Sequence, residues 1–541
     1  MRVSYAAAFT CFALVSGWAV AEDGPKMRLR EGQWIAIDSD NPTNTDSRVL
    51  AILSVRANSQ TGYAALIQST EVVYGVSPHY PWSPGGTTQT LPVARFWGDV
   101  AGDLGHVLYN PLTDSVHPTG LVPSQVDQSF SLNDLGQVAY SLTSSFGPCD
   151  EVTTLSGFVD SAWIGAGKGS ATPLASGTAE SGLGTSGRLW KNISHPQFCS
   201  DSTQIGVYVL ASTSVTRDGP SQDGQIARID VSPPEVILGS GATVPGVGLL
   251  DPSDPVIEFA VSPHEPAHFM AIARLAHSAT EPVVTRATEE VVLLNGQPLY
   301  AGGLLRTGGL AGYPGSTATE KWVKFHGVKV SSGAGLPRAW AVWGETLDGA
   351  MRREVILRNG QVVLRTGQTI DTAALSGPVS QFAMNESGDI LSAWLLSGSP
   401  ALLVNDRPIV KIPIDVQDDI DFEGVLTQLR GSRTADISAR NSEGAATVFF
   451  VGSVRTPISG ATQEASPSLD RRYDCLFSLE VSDLGGASCP ADFDGNGAVE
   501  VADLYDFLDF WYAEFGGSAQ TLNSDFNQNN QIDVGDLFGF M

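Results

Sequence analysis

The sequence predicts a mainly β protein: a β-propeller of about seven blades (six to eight), followed by a small helical, EF-hand-like carboxyl-terminal module. Three observations lead there. Between about residues 22 and 454 one pattern keeps returning: a short alternating strand, a polar turn holding Asn or Gly, then a strongly apolar strand. Asn-Gly pairs flanked by apolar runs mark tight hairpins. Helical spacing of apolar residues is confined to the tail.

The chain of 541 residues opens with Arg2, an apolar run from about Ala6 to Val15, and Ala19-Val20-Ala21. A basic start, a short apolar stretch and a small-residue cleavage site are the plan of a secretory signal peptide over 1–21, so the mature chain is expected to be extracellular. The run is shorter than the ~20 residues a spanning helix needs, and no later stretch reaches that length, so no membrane span is expected. Lys+Arg number 31 against 58 Asp+Glu, a formal charge of -27, which argues against a nucleic-acid backbone as partner. After removal of Cys11 with the leader, Cys149, Cys199, Cys475 and Cys489 remain, without CxxC spacing. Zinc and thioredoxin-like chemistry are disfavoured, and of three pairings Cys149–Cys199 with Cys475–Cys489 keeps each bridge within one region.

The repeats are clearest in FSLNDLGQVAYSL at 130–142, FAMNESGDILSAWLL at 382–396 and ARNSEGAATVFFVG at 439–452; weaker copies begin near Trp34, Trp97, Phe198, Phe259 and Val328. A second hairpin follows several of them, around Asn295-Gly296, Asn359-Gly360 and Asn405-Asp406, because Asn and Gly accept the positive φ of a type I′ turn. Two hairpins make a four-stranded sheet, recurring every ~50–65 residues, that cannot bury both faces alone. Neighbours must stack, which favours radially packed blades over the runner-up, a pair of sandwiched sheets. The stretch 459–488, rich in Ser, Gly, Pro and Thr at its start, reads as a linker; within it 475–481 fits either a closing strand or a patch over the propeller.

Beyond Cys489 the composition changes to ten acidic residues, no Lys or Arg, and ten aromatics. Asp492, Asp494, Asn496, Glu500 and Asp503 occupy positions 1, 3, 5, 9 and 12 of a loop with Gly497 at its sharp turn, and Ala498 offers its carbonyl at position 7. Thirty-three residues on, Asp525, Asn527, Asn529, Gln531, Asp533 and Asp536 repeat the arrangement. A hard cation that takes six to eight oxygens needs this spacing, so two Ca2+ sites are expected. The first, with four carboxylates against three, is expected to be the tighter. Val501, Leu504, Phe507, Leu508 and Trp511 fall at helical spacing between the loops and make a miniature core that depends on metal ligation. These residues resemble the type I dockerin family, over about a tenth of the chain. The resemblance implies a calcium-dependent plug for a cohesin-type partner, often one that attaches secreted enzymes or glycan-binding proteins to a scaffold. Two departures bear on it: Val501-Ala502 and Val534-Gly535 stand where the family commonly carries polar contact residues, and the second helix is barely one turn.

Other motifs weigh less. His264-Glu265-Pro266-Ala267-His268 matches HExxH, with Glu289 at the distance of a third zinc ligand, but Pro266 breaks the helix that must bring both His to one face. The segment instead reads as the turn between strands at 259–261 and 269–273. Gly182, Gly184 and Gly187, like 165–170, form Gly-rich loops outside any strand-to-helix context. Asp415, Asp418, Asp419, Asp421 and Glu423 read as a solvated loop, and Tyr80-Pro81-Trp82 as packing on its own blade. No catalytic or organic-cofactor residues are assigned. The function expected first is a secreted, non-catalytic propeller that binds a glycan or protein and docks through its calcium-loaded tail. The alternative is a carbohydrate-active hydrolase or lyase with the same tail. Carboxylates from different blades meeting at the channel mouth would favour the enzyme.

Overall fold

The structure is a computed structural model that describes residues 24–35, 47–59, 62–73, 89–99, 106–109, 121–146, 158–165, 171–177, 181–182, 187–200, 205–216, 221–265, 268–276, 289–331, 338–417, 423–431, 433–456, 471–482 and 484, together with Leu508 and Trp511. The leader over 1–21, Cys149, Cys489, Tyr80-Pro81-Trp82, both calcium loops and, but for Leu508 and Trp511, the helical module lie outside the described residues. Those two residues are in helical conformation, and Trp511 is buried. No helix among the described residues is long and apolar enough to cross a membrane.

Among the described residues, seven antiparallel sheets of four or more strands follow one another along the chain, with one extra two-stranded ribbon. Their innermost strands are Ser47–Ala57 in blade one, Leu121–Val126 continued by Ser131–Leu132 in blade two, and Leu189–Ser200 in blade three. Val256–Val261, Lys321–Ser331 and Ala373–Met384 serve blades four, five and six, and Glu423–Leu429 continued by Ala435–Ile437 serves blade seven. Each of these strands touches the inner strand of the next blade, and blade seven touches blade one, so the ring is closed. Seven separate sheets rule out the sandwich. This is a seven-bladed β-propeller.

The burial pattern explains why the sequence spells it. Side chains alternate across a strand, so a blade with neighbours on both faces buries every position of its middle strands. Phe269–Arg274 of blade four shows the result: Met270 and Ile272 pack toward blade five, while Ala271 and Ala273 pack toward blade three. The apolar core is accordingly divided into seven clusters, one at each blade interface. The hairpins form as read: Asn295 and Gly296 adopt φ of 52° and 77°, and Asn359 and Gly360 adopt 48° and 83°.

Closure uses both ends of the described chain. Blade seven runs outward from its inner strand through Ala446–Thr456 and Arg471–Val481, and its outermost strand is Lys26–Arg30. Lys26 lies opposite Ser478 and Arg30 opposite Cys475. Of the two readings of 475–481, the closing strand is the one realised, so strand structure continues well into the stretch read from composition as linker. Leu29 is fully buried with Val49, Phe449 and Leu476, and the Tyr63 and Phe449 rings stack at 4.7 Å across the seam between blades one and seven.

Candidate functional site

The inner strand of each blade turns into its second strand at one end of the channel, and several of these turns are built alike. In blade two, Asn133 Oδ1 accepts from the backbone N–H groups of Leu135 (3.1 Å) and Gln137 (2.8 Å). Asn385 Oδ1 accepts from Asp389 N at 2.8 Å in blade six, and Asn441 Oδ1 from Glu443 N at 2.9 Å in blade seven. An Asn that bonds its own backbone ahead fixes a turn and leaves the next side chain free to point outward. That next residue is Asp134 in blade two and Glu386 in blade six. Blade four uses Ser262-Pro263-His264 at the same place, with His264 N donating to Ser262 Oγ at 3.4 Å.

Asp134, His264 and Glu386, from three alternate blades, meet there: one ligand-capable atom from each lies within 4.8 Å of the others. His264 Nε2 and Glu386 Oε1 are 2.8 Å apart, and Asp134 Oδ1 accepts from Ser59 N of blade one at 2.9 Å. The imidazole and the glutamate side chain are 25% and 18% exposed, open enough for a ligand and sheltered enough for charge to matter. The mouth leads into a cavity of about 530 Å³ lined by all seven blades, a volume usual for a small-molecule site. Phe130, Phe198, Trp343 and Phe382 give it apolar faces; Gln128, Asn133, Gln197, Gln381 and Asn385 give it hydrogen-bonding edges.

Below the mouth the inner strands contribute a ring of ionisable groups. Arg56 comes from blade one, His195 from blade three, Glu258 from blade four, Lys329 from blade five, and Arg433 and Asp436 from blade seven. Burial lowers the pKa of Lys329, against the pull of Glu258, and raises that of the Asp436 carboxyl, against Arg56. Each is pushed toward its neutral form. Asp436 accepts from Ala57 N and Ile437 N, both at 3.1 Å. Burial alone would raise the Asp127 carboxyl as well, but hydrogen bonding from Ser129 and the proximity of His195 and Arg433 hold it below the usual range. His195 and Arg433 contact each other through Nε2 and a guanidinium nitrogen. Both hold left-handed backbone, with φ of 53° and 68°, and His195 sits at a bulge in its strand. Bulges re-aim side chains, and non-glycine residues at positive φ persist only where the surroundings demand them.

The described residues of the HExxH match are dispersed. His264 turns to Glu386, while Glu265 pairs with Arg338 of blade five. His268 is buried with a ring nitrogen 3.3 Å from Asn295 Nδ2, and Glu289 pairs with Arg306 at 2.5 Å. Asp415 and Glu423 are exposed on paired strands of blade seven, and Asp418, Asp419 and Asp421 lie outside the described residues. Cys199 and Cys475 are buried on blades three and seven. Sequence reasoning missed the mouth. It found no repeated acidic or His constellation on the blade tops, because each blade supplies a single and different residue. The available signal was positional: the residue after the turn Asn in the aligned repeats is Asp134 in one copy and Glu386 in another.

No protein-family model matches the chain, and no curated protein matches it. Among solved structures it is similar to prolyl oligopeptidase B from Galerina marginata, at 9% identity and a TM-score of 0.34, covering 81% of this chain and 52% of that one. It therefore spans about half the length of that enzyme. It is also similar to a polysaccharide lyase, at 10% identity and a TM-score of 0.28, covering 81% and 78% of the two chains. A third is a glycoside hydrolase family 43 arabinoxylan arabinofuranohydrolase from Bacillus subtilis, at 10% identity and a TM-score of 0.23, covering 86% and 94%. These likenesses are too distant to bear on activity.

Proposed function

We propose that the propeller is a carbohydrate-active enzyme of the hydrolase or lyase class, working at the mouth and upper channel. The observation that supports this reading is convergence: Asp134, His264 and Glu386 arrive from separate blades above a cavity that mixes aromatic faces with amide edges. Sugar rings offer apolar faces and hydroxyl rims, which such a lining matches. Breaking a glycosidic bond by hydrolysis or elimination needs one group to take a proton and another to give one. In the floor, Lys329 and Asp436 line the same channel within reach of each other's charge, and burial shifts each toward its neutral form, so this pair is assigned the proton transfers. In an elimination, Arg56 and Arg433 hold the negative charge that develops on the sugar. The mouth orients the substrate above them.

The tail belongs to the same proposal. The loops at 492–503 and 525–536 bind two Ca2+ and dock the secreted protein to a cohesin-type partner, a reading that rests on their sequence alone. Passive glycan binding is the second reading, favoured by the pairing within the floor, where Asp436 is satisfied by two backbone donors and His195 by Arg433. Release of reducing ends and of unsaturated, ultraviolet-absorbing ends from a panel of neutral and acidic polysaccharides separates them. Turnover of one polysaccharide supports the enzyme; retention of a polysaccharide without turnover leaves only the binding reading standing.

A further inference from the structure

We infer that Asp134, His264 and Glu386 form a divalent-cation site at the mouth of the channel. It deepens the reading of the mouth as the working site, yet bound metal is measured without substrate, so the two fail separately. Geometry comes first. Three atoms mutually within 4.8 Å enclose a point no more than about 2.8 Å from each, so a shift of at most about 0.7 Å brings them to bonding range. The 2.8 Å between His264 Nε2 and Glu386 Oε1 suits neighbouring ligands of an octahedral ion such as Mn2+, since bonds of about 2.1 Å at a right angle leave their ends ~3.0 Å apart, whereas tetrahedral Zn2+ needs the pair to open to about 3.4 Å.

Charge points the same way. Asp134 and Glu386 bring two negative charges to the mouth, and among the described residues neither forms an ion pair with Lys or Arg. A divalent cation would cancel this charge, of which His264 meets only Glu386 and the Ser59 backbone N–H only Asp134. The ligand-bearing turns are also stiff. Asn385 Nδ2 donates to Asp389 Oδ2 at 3.0 Å and to Ser438 O of blade seven at 2.8 Å, and Asp389 is in turn clamped by Arg440. Asn133 Nδ2 donates to Gln137 Oε1 at 2.8 Å. Outer partners of this kind hold first ligands in place. One imidazole with two carboxylates suits Zn2+ or Mn2+ better than Ca2+, which prefers oxygen throughout. Three protein ligands leave further positions for water or sugar hydroxyls.

The experiment uses the full chain, stripped with chelator and returned to excess Ca2+ so that the tail loops are filled. Zn2+ and Mn2+ are then titrated calorimetrically into the wild type, Asp134→Asn, His264→Ala and Glu386→Gln. The wild type is expected to bind one ion of at least one of these metals, more than 30-fold tighter than either His264→Ala or Glu386→Gln. Asp134→Asn keeps an oxygen to accept from Ser59 N, removes only the charge and is expected to weaken binding as well; melting curves confirm that each variant is folded. Equal stoichiometry and affinity in the wild type and all three variants, or no binding in the Ca2+-loaded wild type, overturns the site. Retained metal in a protein that turns over no polysaccharide overturns the catalytic reading and leaves this one intact.

Discussion

Leu29→Ala tests whether the strand Lys26–Arg30 closes the ring. Leu29 is 0% exposed and packs with Ile35, Val49, Phe449, Val451 and Leu476 at the seam of blades one and seven. Truncating a fully buried leucine costs its transfer energy plus that of the cavity left behind, about 3–5 kcal/mol. The described propeller runs from Lys26 to Val481, roughly 450 residues. At about 2.1 cal/mol/K per residue its unfolding entropy is ~0.9 kcal/mol/K, so the variant should melt ~3–5 °C below the wild type. Differential scanning calorimetry on the full chain reads this directly. Trp34→Ala, at a site 57% exposed, is the control and should shift the midpoint by less than about 1 °C. A Leu29→Ala midpoint indistinguishable from that of the control would mean that the amino-terminal strand does not hold the ring together.

Other consequences follow from buried charge. Asp389, 0% exposed, takes a bidentate pair of bonds from Arg440 across the interface of blades six and seven. Asp389→Ala strands that guanidinium and should cost about 3–5 kcal/mol, read as a fall in denaturant midpoint; a loss under ~1 kcal/mol would show the pair to be dispensable. His268 is buried, and burial first, then Arg338, lowers its pKa from 6.5. Its neutral form therefore adds stability above pH 6.5 that is lost as pH falls through the lowered folded value. His268→Gln should reduce the drop in melting temperature between pH 7.5 and pH 5; an unchanged drop would remove His268 from the acid response. In the tail, calorimetric Ca2+ titration should show a greater loss for Asp503→Ala than for Asp536→Ala, and the reverse order would contradict the ranking of the two loops.

What the sequence disclosed and what it withheld divide along a physical line. Doubly buried middle strands such as Phe269–Arg274 and Ile390–Leu396 must be apolar at nearly every position, and their hairpins need Asn or Gly at positive φ. Those constraints are local, so the repeat and the hairpins could be read directly, while the blade number was narrowed only to six to eight and is fixed at seven by the sheets themselves. Closure was only half legible, because the partner of Arg471–Val481 lies at the other end of the chain and its five residues, KMRLR, show no repeat. The mouth was illegible for a related reason. Asp134, His264 and Glu386 are 130 and 122 positions apart in sequence and acquire meaning only when the ring brings blades two, four and six together. Of the HExxH residues, His264 belongs to the mouth through partners no motif could name, while Glu265 and His268 turn to Arg338 and Asn295.

The channel as working site is tested most directly by Lys329→Met, which keeps the length of the side chain and removes its proton chemistry. With the polysaccharide that the wild type turns over best, the variant should lose more than 100-fold in kcat while KM changes less than about threefold and the melting temperature holds. Undiminished turnover by a folded Lys329→Met protein would place the chemistry elsewhere and contradict the account.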